Sequence, residues 1–522
     1  MNQTVEMPEV KLTTGNLARL ELENIERFGV YTRLYCEDQS YTNAQELAFA
    51  GSLARVLEGY GVRRGDRVLV LLPNSLQLSA LFQAAWTIGA VIIPVIPQWT
   101  AGEIANIIRG AEPIVALTIP QLAERVHQAD SELKKLNHLL VFGECNVPGC
   151  ANISDAVRGS SPIETPVDSQ PAELAVLLYT SGTTGTPKGV MLTHENLAAA
   201  FEGTFRQNPK LERGTMLSAL PLSHVYGVLA QNAANRWGWS TVQMRQFEPG
   251  KALEAIERYQ VKYLPVVPTM LMYLLHHPDL ERRNTSSLVR ITSGGAALPE
   301  RLRQEVERVF RCRIDQGYGL SESASVASGY EASSDYRPGS VGVATPGVEI
   351  RIVDNQDVPL TAPNVGEICL RGACISPGYW RDPEATKAIF RDGWLHTGDI
   401  GYLDQDGYLF ITDRKKDLII KGGENVSPRE IEEALYLHPA VAEAAVVGIP
   451  DAVYGEEICA VLQLRTGIEV TEEEVRLHVG QFVTKFKIPG RVIFQPLLPK
   501  NLNGKILKYQ IRAQLLGMLG LH

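Results

Sequence analysis

Residues 173–201 read ELAVLLYTSGTTGTPKGVMLTHENLAAAF, and the reading of this stretch decides the fold. Leu174 to Leu178 form a short unbroken apolar run, the pattern of a strand buried on both faces of a parallel sheet. Thr193 precedes a segment whose Leu197, Ala200 and Phe201 share one helical face, so it is placed to cap a helix. Between strand and helix lies a loop crowded with small residues. Gly182, Gly185 and Gly189 let backbone N–H groups approach a ligand closely, while Ser181, Thr183, Thr184, Thr186 and Lys188 add hydroxyl donors and one cation.

Such a donor set suits a polyphosphate. The G-x-x-x-x-G-K-[ST] loop is excluded, because Pro187 precedes the lysine and Gly189 follows it, which removes the hydroxyl that motif places on magnesium. A flexible polar turn also uses Gly, Ser, Thr and Pro, but needs far fewer of them.

Outward from the loop the same alternation repeats. DRVLVLL is followed by QLSALFQAAWTIGA, and KYLPVVP by TMLMYLLHHP, strand-like runs leading into helical ones up to about residue 330. The expected class is α/β, with helices layered on parallel sheets. From about 338 the chain changes to short strands with turn residues, and Asp406-Gly407 marks a hairpin, which predicts a β-rich subdomain over about 338–412. In VSPREIEEALYLHP, Ser427 and Glu430 predict a capping box, Pro428 takes the first helical position, and Ile431, Ala434 and Leu435 share a face. A further domain is expected to begin at the charged DRKKD, dividing the chain into 1–413 and 414–522.

Composition narrows the function classes. The 522 residues suffice for two or three structural units. A formal charge of −9 without a basic run argues against a nucleic-acid partner. The start, MNQTVEMPEVKLTTGN, lacks the charged and apolar regions of a secretory signal, so a cytoplasmic location is expected. The most apolar region is interrupted by Pro73, Asn74, Gln77, Gln83, Pro94 and Pro97, which suits strand, helix, strand better than an integral membrane segment. Seven scattered cysteines, among them Cys145/Cys150 and Cys369/Cys374 without second pairs, read as reduced thiols rather than a zinc site.

Several motifs then occur in order: YTSGTTGTPKGV (179–190), LPLSHVYG (220–227), SGGAAL (293–298), QGYGLSES (316–323), HTGDIGY (396–402), DRKKDLIIKGGENVSPREIE (413–432) and NLNGKILK (501–508). Together they resemble the acyl-CoA synthetases of the AMP-forming, adenylate-forming superfamily, of the fatty-acid or aryl-acid CoA ligase type. The resemblance covers nearly the whole chain. It implies a large N-terminal adenylation domain and a small mobile α+β C-terminal domain. It also implies a two-step reaction: a carboxylic acid is activated with ATP and Mg2+, then its acyl group passes to the thiol of coenzyme A. Attack of a carboxylate on phosphorus brings two anions together, so the site must neutralise charge and hold the groups in line.

By this resemblance Thr180, Ser181, Gly182, Thr183, Thr184, Gly185 and Lys188 cradle the β- and γ-phosphates, and Glu322 holds the magnesium ion. Ser321 stands where the family usually has threonine and keeps the hydroxyl beside the phosphates. Gly294, Gly295, Ala296, Gln316, Gly317, Tyr318 and Gly319 resemble the adenine pocket, with small residues on one side of the base and an aromatic ring on the other. Asp399 and Arg414 resemble the ribose pair. Lys505 matches the catalytic lysine that reaches the α-phosphate and the acyl carboxylate. Lys416 falls at the hinge, and Gly422 and Gly423 line the pantetheine tunnel of the thioester-forming state. His224 matches the histidine between the ATP site and the acyl pocket.

The acid is less legible. After His224 the chain continues VLAQNAANRWGWSTVQ, and Gln231, Asn232, Asn235 and Arg236 make this wall polar. Facing the pocket, they would favour a short, hydroxylated or aromatic acid over a long fatty acid; facing away, they would be the ordinary polar side of a helix. Two rivals share the motifs: an acyl-AMP ligase that loads a separate carrier protein, and a catalytically inactive nucleotide-binding protein on the same fold. The retained Lys188, Glu322, Asp399, Arg414 and Lys505 argue against the second. A homodimer is a further expectation.

Overall fold

The computed structural model describes residues 16–180, 187–208, 211–331, 334–465, 467–500 and 506–519. Leu174–Thr180 is a strand beside Val91–Pro94 in a seven-stranded sheet, parallel as expected. The chain does not run directly from the loop into a helix, as expected from sequence. Lys188–Thr193 first returns antiparallel to Leu174–Thr180, pairing Thr180 with Lys188. The two ends of the loop, Thr180 and Lys188, are therefore held side by side. The return is driven by Val190 and Leu192, which alternate into the core. Only then does Thr193 cap the helix His194–Gln207, its hydroxyl accepting the Asn196 N–H while the Asn196 side chain answers the Thr193 N–H.

A second seven-stranded sheet runs Arg313–Gln316, Arg290–Ser293, Val261–Val266, Thr215–Ser218, Ser240–Gln243, Thr32–Cys36, Gln39–Thr42, parallel except for the last pair. One buried cluster joins the two sheets, with Val68, Ile92 and Val176 from the first and Leu217, Leu264 and Ile291 from the second. The alternate residues Leu69, Ile93 and Leu177 turn to the other face of the first sheet and pack on Ile104, Ile107 and Ile108. Burial on both faces explains why these strands are unbroken apolar runs.

The β-rich unit is an antiparallel sheet that starts earlier than 338: Ser328–Gly329 already pairs with Ser340–Ala344, and the sheet ends at Arg414. Its Asp406-Gly407 hairpin forms as read, with Gly407 at φ 82° and the Asp404 carboxylate accepting the Asp406 and Tyr408 N–H groups. Beyond it a small C-terminal domain folds around a five-stranded sheet with separate cores on its two faces. There the helix Pro428–Tyr436 keeps half of its expected capping box. Ser427 Oγ accepts the Glu430 N–H at 3.4 Å, but the Glu430 carboxylate turns to Lys487 Nζ at 2.6 Å instead of returning to the helix start. A tertiary ion pair has displaced a local bond. Among the described residues no helix is long and apolar enough to cross a membrane.

Candidate active site

The carboxyl ends of the strands Leu174–Thr180, Val261–Val266, Arg290–Ser293 and Arg313–Gln316 open on one cavity of about 1110 Å³. This is where parallel sheets bind ligands, because the connecting loops diverge there. Of the expected phosphate-loop residues, Thr180 and Lys188 line the cavity; Ser181, Gly182, Thr183, Thr184 and Gly185 lie outside the described residues, as does Lys505. Gly189 is required by packing: a Cβ there would meet the Tyr179 ring and the Leu177 side chain, each at 3.1 Å.

The adenine-pocket residues Gly294, Gly295, Gln316, Gly317, Tyr318 and Gly319 also line the cavity. The Gly317 N–H donates to the Ser293 carbonyl at 3.0 Å, continuing the strand pairing past the sheet. Ala296 is not in the lining and acts from behind, its carbonyl facing the Gln316 amide at 3.5 Å. Behind Gly294 stands the Tyr226 ring, 3.2 Å from where a Cβ would be, with its hydroxyl donating to the Thr292 carbonyl at 3.0 Å.

Asp399 is buried and held from two sides. Tyr318 donates its hydroxyl to Oδ2 at 2.6 Å, and Arg414 Nε stands 3.0 Å from Oδ1. Burial and the Asp399 charge push the Tyr318 phenol well above its usual range, so it remains a donor. The Arg414 guanidinium likewise rises, burial opposing and Asp399 favouring its charge. Asp399 therefore belongs to a strand and a charged triad, not merely to the turn after Gly398. Glu367, which sequence reasoning missed, supports this place: Oε1 accepts the Gly398 N–H at 3.1 Å and Oε2 meets Lys415 Nζ at 3.2 Å.

Glu322 sits in the single turn Ser321–Ser323 on the cavity wall, with Ser321 beside it. Ala324 and Ser325 come next in the left-handed region at φ 48° and 74°, a costly conformation for two successive non-glycine residues. Ser325 is held there by its N–H to the Leu320 carbonyl at 2.8 Å, and Gly319 must lack a side chain because a Cβ would lie 2.2 Å from the Ser325 carbonyl carbon. His224 lines the cavity at the start of the helix Val225–Trp237, and its Nδ1 accepts the Tyr226 N–H at 3.2 Å, leaving the neutral ring's proton on Nε2.

An apolar arm extends past His224 between that helix and the second sheet. Tyr226, Leu229, Ala230, Ala233 and Trp237 face it, and its floor is a ring stack, Trp237 on Trp239 at 4.9 Å and Trp239 on Tyr263 at 3.9 Å. Trp239 Nε1 and the Tyr263 hydroxyl both donate to the Glu212 carbonyl, at 3.0 and 2.9 Å, whereas the buried Trp237 Nε1 has no partner among the described residues. The polar residues of the helix point elsewhere. Asn232 bonds the Val228 carbonyl at 2.9 Å, Asn235 accepts from Arg33, and Arg236 pairs with Glu202.

The small domain reaches the same cavity through Lys416 and through Lys500, Leu507, Tyr509 and Gln510, which flank the stretch holding Lys505. Burial, with Arg414 beside it, lowers Lys416 from the usual lysine range. Gly422 and Gly423 are not brought in. They form the exposed turn of the hairpin between Ile419–Lys421 and Glu424–Val426, at φ 60° and 86°.

Known proteins resemble this chain over nearly its whole length. Residues 22–380 match the AMP-binding enzyme model, and residues 430–505 match the AMP-binding enzyme C-terminal domain. The long-chain-fatty-acid–CoA ligase of Bacillus subtilis (strain 168) is 33% identical, across 96% of this chain and 95% of its own. The 4-coumarate–CoA ligase CCL1 of Humulus lupulus is 34% identical, across 89% and 87%. The structure of ATP-bound MatB from Rhodopseudomonas palustris superimposes with a TM-score of 0.89 at 31% identity, across 96% and 99%. The chain belongs to the AMP-binding enzyme family, and within it to the acyl-CoA synthetases, the AMP-forming acid–thiol ligases. Transfer to a carrier protein finds no support among these relatives.

Proposed function

We propose that this ligase activates an apolar carboxylic acid of medium length, aliphatic or aryl, and passes it as the acyl-adenylate to coenzyme A. One observation carries the choice of acid: the helix Val225–Trp237 turns Leu229, Ala230, Ala233 and Trp237 to the cavity and engages Asn232, Asn235 and Arg236 elsewhere. An arm walled mainly by apolar side chains favours an apolar tail, although the buried Trp237 Nε1 leaves it a donor without a partner among the described residues. Its depth along the strand from Val267 to Tyr263 is about four residues, or about 13 Å at strand rise.

Within this reading the acid's carboxylate lies near His224. Asp399 takes the ribose hydroxyls, and Tyr318 closes one face of adenine. Lys188 meets the leaving phosphates, and Lys505 meets the α-phosphate as charge develops. Glu322 offers one carboxylate, which suits Mg2+, an ion that takes one or two carboxylates and fills its shell with phosphate and water. Bound there, Mg2+ would neutralise polyphosphate charge.

The same proposal keeps the domain boundary at 413/414, at the last residue of the strand Tyr408–Arg414 and ahead of the first small-domain core residue, Ile419. It assigns the hinge to Lys416 and the pantetheine path to Gly422 and Gly423, which must then move. It also includes a cytoplasmic setting, supported by seven unpaired cysteines, and a homodimer, checked by sedimentation. The test of the acid is pyrophosphate release over graded aliphatic, aryl and hydroxylated acids. A maximum among apolar acids of intermediate length is expected; preference for a short hydroxylated acid would contradict the apolar arm.

A further inference from the structure

Two segments far apart in sequence meet beside the phosphate loop, and one side chain joins them. The loop Ser376–Trp380 is laced to the exit strand of the hairpin: the Met191 N–H donates to the Gly378 carbonyl at 3.0 Å and the Trp380 N–H to the Gly189 carbonyl at 2.8 Å. On its other side the Ser376 N–H donates to the Glu322 carbonyl at 2.8 Å. Tyr379 stands between these attachments. Its hydroxyl donates to Glu322 Oε1 at 2.6 Å, and its ring centroid lies 5.1 Å from Lys188 Nζ. Both charged groups face the cavity.

We propose that Tyr379 is a positioning residue for the polyphosphate, orienting the Glu322 carboxylate through its hydroxyl and the Lys188 ammonium through its ring. A carboxylate with Oε1 held by a donor presents Oε2 to a cation in one orientation, and an ammonium drawn to a ring face loses freedom to swing into solvent. Tyr379 engages Oε1 and not Oε2 of Glu322. A tyrosine serving only as filler would be matched by phenylalanine; the short bond to a cavity carboxylate is what phenylalanine cannot supply.

The inference rests on the reading that Glu322 and Lys188 meet Mg2+ and ATP, and the test separates the two. Equilibrium ATP binding is measured by calorimetry on the full chain, with Mg2+ titrated and with Mg2+ removed by chelation. Tyr379→Phe keeps the ring, so metal-free ATP should bind as in the wild type, while the gain in affinity from Mg2+ falls by about tenfold, as for loss of a bond to a charged group. Tyr379→Leu should weaken metal-free ATP as well, by about threefold, through the freed lysine. Tyr379→His, which restores a donor on a flat ring, should recover part of the Mg2+ gain, and thermal unfolding of each variant separates misfolding from mispositioning. If Glu322→Gln keeps the full Mg2+ gain, the underlying reading fails. If Glu322→Gln loses it and Tyr379→Phe retains it, Tyr379 is packing only and the inference is overturned.

Discussion

Lys505 carries the heaviest chemical assignment at the level of single residues, since a cation near the α-phosphorus offsets charge that grows in the transition state. Lys505→Ala should slow adenylate formation on the order of a hundredfold, about 3 kcal/mol; a near-normal pyrophosphate release rate would remove it from the reaction. A second residue fixes acid tolerance. His194 is buried, its Nδ1 accepts the Leu17 N–H at 3.2 Å, and its ring meets Trp86 edge-on. Burial lowers it from 6.5 to about 4, so the folded protein holds it neutral while the unfolded chain protonates it. The contribution is full above about pH 6.5 and lost as pH falls toward 4. Between pH 8 and pH 5 it amounts to about 2 kcal/mol. Thermal unfolding of His194→Gln should therefore show a shallower loss of Tm over that range; an unchanged slope would show that other groups set it.

Sequence made Asp399, Arg414 and Glu322 legible, because each sits in a motif with its own spacing. Tyr379 and Glu367 were not legible: each acts on a partner from another segment, 57 and 31 residues away, and nothing local to PGYW or GEICL reports that contact.

At the scale of elements, the helix Val225–Trp237 shows why polarity in a sequence does not assign a face. Gln231, Asn232, Asn235 and Arg236 read as a polar wall, yet Gln231 is outside the cavity lining and the partners of the other three, Val228, Arg33 and Glu202, come from the helix itself and its outer neighbours. Those partners are set by tertiary packing, which periodicity does not reveal. Ala233→Leu places bulk in the middle of the apolar arm, and the acid giving the best pyrophosphate release should become shorter, with activity on the wild-type optimum down about tenfold or more. An unchanged optimum would show that the acid does not pass Ala233. The hairpin strand Lys188–Thr193 was missed for the opposite reason: Gly189 and the adjoining glycines read as loop, while pairing to Leu174–Thr180 makes it strand. Parallel strands and the helices after them were legible because burial on both faces writes unbroken apolar runs.

On the scale of the whole molecule, one cavity takes its walls from both domains. Lys416, Lys500 and Tyr509 line it while Gly422 and Gly423 stand exposed outside it. In the proposed mechanism this arrangement serves acid activation, and the small domain turns about the segment at Lys416 for the second step. Lys416→Pro fixes φ at the hinge and restricts Lys415 before it. Adenylate formation should persist within a few-fold, while thioester formation falls at least tenfold; equal loss of both would place the hinge elsewhere.

The most direct test tracks ATP, pyrophosphate, AMP and thioester together for the wild-type protein with a medium-length apolar acid, with and without coenzyme A. The account predicts pyrophosphate and bound acyl-adenylate without coenzyme A, and multiple turnovers to AMP and the acyl thioester with it. Adenylate formation that is indifferent to coenzyme A, or no reaction with any apolar acid, would contradict it.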